Sequence, residues 1–598
     1  MFVVMPLSAT FRRVLFSLVA FSLLVGLGLY LERKTIARRF ADAQFAARKI
    51  NARYEIKSIG PRTQRLEHII IGDPKNPDLV ADWSEIELGI GLSGVVVRSL
   101  RVGGLRLRGQ LVNGKLSLGA VDRLLPAPGG EPFALPDTDI SLGNARMILA
   151  TDFGEIDLRL DGNGNLADGF SGSLLGTSPR ILIGQLELQA LATRLAIRTE
   201  RRRIFVEGPT SANKLQYGRN VLARPSVRIK GSSSESFANV EADWSMDADV
   251  DALMVGAARS LRADGKFVQD GDVRKLAAKL QLDGARPASG EQRRLVAAIP
   301  NAGGTPLEPL LRQLRAALAN LSKGSMAIAP IEFRSSGTQR SLFIGPPTIV
   351  ASSGARLLGN GRGMIIPFGK GQANFDGEFA LSGGGFPVGT ARLALNKGIW
   401  TGTARFRPYR AGGAQLVLTP VDLRVSGSGF GMRTNVLLDG PLGGGRVTGL
   451  NIPISLRPTR DPLAGCVKSG FRAVEIGGLH LAAASLNVCL SGSEARLAPV
   501  RLAGRLGESP IQLAANGARI GFSRGDFAVD SLGVKLGPPD RLSLLDVAAL
   551  TGRFGEGRAH GKFSGASGAI GNVPLKMSEG SGAWQFANSK LMLQGGLR

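Results

Sequence analysis

Val97 to Pro126 reads VRSLRVGGLRLRGQLVNGKLSLGAVDRLLP. Leu100, Val102, Leu105 and Leu107 alternate with basic or small residues, and a period of two puts apolar side chains on one face of a strand and polar ones on the other. Gly103-Gly104 breaks the phase, which predicts a bulge or sharp bend that restores it. Outward from this stretch the pattern repeats. Upstream, Ile86, Leu88 and Ile90 alternate with Glu85, Glu87 and Gly89; downstream, Ile156, Leu158 and Leu160 alternate with Asp157, Arg159 and Asp161. Further instances are Leu186, Leu188 and Ala190; Leu195 and Ile197; Val227 and Ile229; Leu393 and Leu395; Leu416 and Leu418; Trp584 and Phe586; and Leu591 and Leu593. Asn113-Gly114, Asp161-Gly162, Asp439-Gly440 and Asn516-Gly517 read as hairpin turns between them. The expected fold is mainly β, a long curved antiparallel sheet forming an elongated, β-taco-like groove.

Composition agrees with strands and narrows the function. Hydrophobic residues at 43% of 598 exclude wholesale disorder. Gly, at 81 residues, is nearly twice its usual share of about 7%; without a Gly-X-Y period, many tight turns are the expected cause. A net charge of +26 raises nucleic acid or an anionic membrane as partners, but the charge is dispersed and the densest cluster, Arg201 to Arg203, adjoins Glu200. With only 4 Trp and 4 Tyr for base stacking, no nucleic-acid partner is expected.

At the amino end, Arg12-Arg13 precede VLFSLVAFSLLVGLGLYL, Val14 to Leu31, an uncharged run that rises ~27 Å as a helix and is long enough to span a bilayer. A single-pass transmembrane anchor is expected; a cleaved signal peptide ending near Gly26 and Gly28 is the rival reading. Six Lys/Arg follow this run within residues 33–49 against two before it, a count that opposes export, although long downstream domains translocate largely regardless of charge. Ile36, Phe40, Ala43, Ala47 and Ile50 then recur at helical spacing. The organisation read from these signals is tail and anchor 1–31, helical neck 32–50, β section 51–125, Pro/Gly-rich linker 126–139, β section 140–286, helical insertion 287–325, β section 326–465 and β section 466–598.

Short amphipathic helices interrupt the strands. Thr305 as N-cap, Pro306 at the first position and Glu308 completing a capping box predict a helix to about Leu321, with a stripe of Leu307, Leu311, Leu314, Leu318 and Leu321. Such a face suits packing on a sheet better than lying on lipid. Asp540 to Leu550 reads as a second, shorter helix with Leu542, Leu545 and Ala549 on one face.

Cys466 and Cys489 are the only cysteines, each within strand-like sequence. Either they form one disulfide in an oxidising compartment such as the periplasm, or they are two buried thiols. With three scattered histidines they make no metal site, so neither metal nor cofactor is expected. Gly521 to Gly525 (GFSRG) matches a nucleophile elbow, but Asp526 to Lys535 reads as a strand where the elbow requires a helix. No Gly-Lys pair is followed by the Ser or Thr of a P-loop, and Gly427 to Gly431 (GSGFG) is only a fragment of a dinucleotide fingerprint. The chain is not expected to be an enzyme.

A long sheet must cover its apolar face, with a second layer or with something foreign such as acyl chains. A phospholipid crossing water bare exposes about thirty methylenes at ~0.8 kcal/mol each, a barrier near 25 kcal/mol that a lined groove removes. Roughly forty strands at ~4.8 Å would extend on the order of 190 Å. Candidate lining residues are Ile86, Leu88, Leu100, Val102, Leu105, Leu107, Ile156, Leu158, Leu160, Leu186, Leu188, Leu416 and Leu418. The alternative is a non-conducting scaffold for envelope or outer-membrane-protein assembly, its groove filled by its own side chains.

The anchor, the basic neck, Val97 to Pro126, the capped helix near Thr305 and the Cys466/Cys489 pair together resemble the YdbH family of AsmA-like bacterial envelope proteins, relatives of TamB. The resemblance implies a bacterial inner-membrane protein anchored by 14–31, with its bulk in the periplasm and an extended β-groove that helps move phospholipid toward the outer membrane. An outer-membrane or periplasmic protein partner is a further expectation. The end at Leu591 to Arg598, a strand and its turn, is expected to be a truncation relative to such proteins.

Overall fold

The computed structural model describes residues 42–43, 45–60, 62–91, 94–113, 115–124, 134–254, 256–369, 371–427, 429–456, 465–491, 494–521, 525–555, 558–573, 576–587 and 590–596. The segment 14–31, most of the neck, most of the linker and Ser523 lie outside these residues. Among the described residues strands hold 72% and helices 8%, so the protein is mainly β. The described strands, 42 of them, belong to one sheet.

That sheet is mixed, which corrects the purely antiparallel expectation. Gly94–Gly103 and Arg106–Val112 both pair in parallel with Asp139–Thr151. The 26 residues between Val112 and Asp139, which include a 3-10 turn at Gly119–Leu124, supply the crossover that a parallel pairing requires. Gly103-Gly104 behaves as read: Gly104 adopts φ +64°, and the strands on either side of it pair with opposite ends of Asn76–Gly91.

Two of the four expected hairpin turns are interior to strands. Asp161-Gly162 lies within Gly154–Asn165 and Asp439-Gly440 within Gly429–Leu442. Both aspartates sit where the pairing slips by a residue, and each accepts an amide that the slip leaves out of the ladder: Asn144 N–H to Asp161, and Gly449 N–H to Asp439. Asn516-Gly517 is likewise a break between two short strands that share the partner Asp526–Leu536. Asn113, at φ 50°, does turn the chain between Arg106–Val112 and Lys115–Ser117. Tight turns therefore account for only part of the glycine excess. Trp83, Trp244 and Trp584 stand directly across from Gly103, Gly265 and Gly561 in neighbouring strands, and a Cβ on Gly265 would lie 2.6 Å from the Trp244 ring.

Two compact units divide the chain, 1–283 with 330–342, and 284–329 with 343–598. In the first, strands from Thr63 to Thr151 enclose a closed core in which Leu66, Ile71, Leu118, Val121, Leu135 and Ile140 are at most 2% exposed. Phe45 and Ile50 of the neck enter this core, whereas Ala43 and Ala47 are exposed. Antiparallel strands then follow from Gly154–Asn165 to Val273–Pro287.

The second unit holds helices α1 (Ser289–Ala298) and α2 (Glu308–Asn320) and the strands from Thr348 onward. Thr305 does not cap α2; its hydroxyl donates to the Ala302 carbonyl at 2.6 Å, bracing the turn, while Glu308 reaches back to the Gly304 N–H at 2.9 Å. The expected helix at Asp540 to Leu550 is instead a 3-10 turn, Pro539–Arg541, and the strand Ser543–Gly555. Leu545 and Val547 follow a period of two, but the pairing skips a residue on each side of Ala548, across from Ser531 (φ 53°) and Gly565 (φ 65°). The skip restarts the buried row at Leu550, and the resulting spacing imitates a helix.

Candidate functional site: an apolar sheet face and a helix-covered cavity

The thirteen candidate lining residues fall into three environments. Ile86, Leu88, Leu100, Val102, Leu105 and Leu107 are 0–5% exposed inside the closed core of the first unit. Ile156, Leu158 and Leu160 are half-buried at the edge of that core; Leu186 is buried and Leu188 half-buried in a second cluster with Met246 and Ala263. Leu416 and Leu418 are half-buried in the second unit, near α2.

From Gly154 onward the apolar face is aligned across strands, because residues paired laterally in a ladder point to the same side. One row in the first unit runs Leu158, Gly176, Thr193, Thr210, Val227, Met246, Ala263, Leu280. Beside it run Ile229, Trp244, Gly265, Ala278 and, next, Gly231, Ala242, Phe267, Leu276. In the second unit a row runs Gly377, Leu393, Gly402, Leu423, Met432, Leu456. Leu158, Val227, Trp244, Leu280, Leu393 and Leu423 are all half-buried, so apolar surface remains on this face. Single-strand periodicity marks which side each residue takes; the lateral rows arise from strand register and were not legible in the sequence.

The opposite face carries the charge. Arg146 pairs with Asp157 at 2.8 Å, Arg262 with Asp247 at 3.3 Å, Lys275 with Glu332 at 3.1 Å and Lys266 with Glu241. The Arg146 hydrogen bond lowers the Asp157 carboxyl below its ordinary value, against an opposing desolvation effect, and raises the Arg146 guanidinium. Lys266 lowers Glu241 in the same way. Cys466 and Cys489 face each other across Gly465–Phe471 and Ala484–Ser491 and form a disulfide with an S–S distance of 2.05 Å. Their neighbours Val467 and Val488 pair on the apolar side, so the disulfide lies on the polar one.

In the second unit a cavity of about 160 Å³ lies beneath α2. Leu307, Leu310, Leu311 and Leu314 line it from the helix side; Phe406, Tyr409, Leu416 and Leu418 line it from the sheet, with Pro387 and Arg407. Leu416 and Leu418 pair with Leu438 and Val436, so the cavity opens on a sheet face rich in aliphatic side chains. The Tyr409 hydroxyl donates to the Gly385 carbonyl at 2.8 Å, and burial raises its phenol above the ordinary value. Of the expected stripe, Leu307, Leu311 and Leu314 face this gap; the helix residues buried outright, Pro309, Leu310 and Ala317, lie outside the stripe. The stripe and the Leu416/Leu418 pair are each readable alone; their meeting is a tertiary contact that neither announces.

Among the described residues no cluster of three His, Cys, Asp or Glu could hold a metal ion. Asp526–Leu536, following GFSRG, is a strand, as read from the sequence, where a nucleophile elbow would need a helix, and His560 lies on the strand Arg558–Ala569. Among the described residues no helix is long and apolar enough to cross a membrane.

The described chain is a mainly β protein with a mixed sheet, whose rows from Gly154 onward carry apolar side chains on one face and charged ones on the other. Over residues 21–596, nearly the whole chain, it matches the YdbH-like family model, described as intermembrane phospholipid transport protein YdbH, and it belongs to that family. No curated protein matches it.

Proposed function

We propose that this protein carries phospholipid between the membranes of a bacterial envelope by burying acyl chains against the half-buried rows of its apolar face. The observation that carries the reading is the lateral register that aligns half-buried Leu158, Val227 and Leu280 in the first unit and Leu393, Leu423 and Met432 in the second. A tail seated there keeps its methylenes from water, each worth ~0.8 kcal/mol, while the headgroup stays wet. The family's description supports the cargo. Nothing needs to be made or broken, so the protein works without a catalytic residue. The six candidates in the closed core, Ile86 to Leu107, offer a tail almost no surface, and the path is assigned to the rows from Gly154 onward. In this reading 14–31 anchors the chain in the inner membrane, the bulk lies in the periplasm, and a protein at the outer membrane receives the lipid. A non-conducting scaffold is the second reading, favoured by the same closed core between Leu66 and Leu149.

Photocrosslinkers at Leu158 and Leu280 are expected to capture radiolabelled phospholipid, while crosslinkers at their exposed neighbours Arg159 and Lys279 are not. Equal capture from both faces, or no lipid extractable from the purified protein, would favour the scaffold.

A further inference from the structure

We propose that the cavity under α2 is a binding site for one phospholipid acyl chain, pinched between the helix and the sheet, with α2 as its lid. This rests on the lipid-carrying reading and adds to it a defined station.

The cavity fits such an occupant in size and chemistry. At about 160 Å³ it is close to an apolar cavity of ~150 Å³ that stays dry and accepts a benzene ring, so it holds a short stretch of hydrocarbon. A water molecule needs two to four polar partners, and the one hydroxyl in the wall, Tyr409, is already committed to Gly385. Arg407, exposed, is the only charged lining residue, and a cation there suits the phosphate of an amphiphile whose tail is inside.

Polar ties hold α2 in place. Arg315 donates to the carbonyls of Ile299 and Pro300, Gln292 of α1 donates to the carbonyls of Leu318 and Ala319, and Gln313 donates to the Gly385 carbonyl. The first four join α2 to α1 and the chain after it, and the Gln313 contact joins it to the connection between Asn374–Ser382 and Gly389–Asn396. Leu310 and Ala317, each 2% exposed, are buried, while Leu311 and Leu314 are only half-buried over the cavity.

The test uses the full chain with a photocrosslinker at Leu314, vesicles of phosphatidylglycerol carrying tritiated acyl chains, and the Leu158 crosslinker as a control in the other unit. The expected result is labelling at both positions. Leu416→Trp, which fills the cavity, should lower Leu314 labelling about fivefold or more while Leu158 labelling persists, and Leu416→Met should restore it. Amide exchange in Ala414–Leu418 and Gly429–Leu442, unchanged from the parent, reports that the second unit of the variants folds. Labelling at Leu158 without labelling at Leu314, Leu314 labelling unchanged by Leu416→Trp, or capture of free fatty acid in place of phospholipid would overturn the acyl site alone. No labelling at either position would overturn the lipid-carrying reading as well.

Discussion

At the scale of single residues, the two sides of each strand obey different rules. Trp244 lies across from Gly265 because a larger neighbour would occupy the space of the indole ring. On the charged face of Gly154–Asn165, Asp157 is held by Arg146 in a pair that retains 22% and 44% side-chain exposure, so solvent screens it and its contribution is small. Its sign is nevertheless fixed. A carboxyl lowered on folding stabilises the protein above the ordinary carboxylate range, and that stability is lost as pH falls through this range toward the folded value. Between about pH 6 and pH 3 the melting temperature of the Asp157→Asn variant should therefore fall less than that of the parent protein, as followed by circular dichroism. An identical fall in both would show that the pair contributes nothing.

Elements are stabilised differently from residues, because short strands such as Gly465–Phe471 carry few apolar contacts of their own. The Cys466–Cys489 disulfide, with a sequence separation of 23, restrains them through the unfolded chain, worth roughly 3 kcal/mol in the chain-entropy model. Replacing both cysteines by serine should raise amide exchange in Gly465–Phe471 and Ala484–Ser491 without changing lipid labelling from Leu423, since the disulfide lies on the polar face. Exchange unchanged in both strands would remove the disulfide from the account. Element type was legible wherever the period of two ran uninterrupted, as at Ile156 to Asp161. It failed at Ser543–Gly555, where one skipped residue beside Ala548 produced helical spacing. Asp-Gly pairs misled for a related reason: a carboxylate beside a glycine satisfies a bulge as well as a turn. Of the candidate site, the alternation was readable, and the thirteen residues are buried or half-buried. Degree of closure was not, because Leu105 and Leu158 carry the same alternation and differ only in what the intervening chain, with Leu118 and Leu135, folds over them.

For the whole molecule the decisive quantity is the contrast between faces. Charged side chains beside the apolar rows, such as Arg159, Lys279 and Arg424, are exposed on the opposite face, so solubility and burial are served by opposite sides of the same strands. On the proposed reading, transport depends sharply on side and little on position. A carboxylate placed in an apolar row faces an acyl chain instead of water, and the effective penalty of several kcal/mol per buried ion exceeds what a few methylenes at ~0.8 kcal/mol return. Leu280→Asp and Leu423→Asp should each slow phospholipid transfer between donor and acceptor vesicles by tenfold or more, a change of about 1.4 kcal/mol. The adjacent substitutions Lys279→Asp and Arg424→Asp reverse a charge on the exposed face and should leave transfer within about twofold of the parent, since surface changes away from packing are nearly neutral. Hydrogen exchange of the variants separates loss of transfer from loss of fold. Equal slowing by Leu280→Asp and Lys279→Asp, in proteins with unchanged exchange, would mean that charge anywhere on the sheet impedes transfer, and the apolar rows would then lose their role as the path.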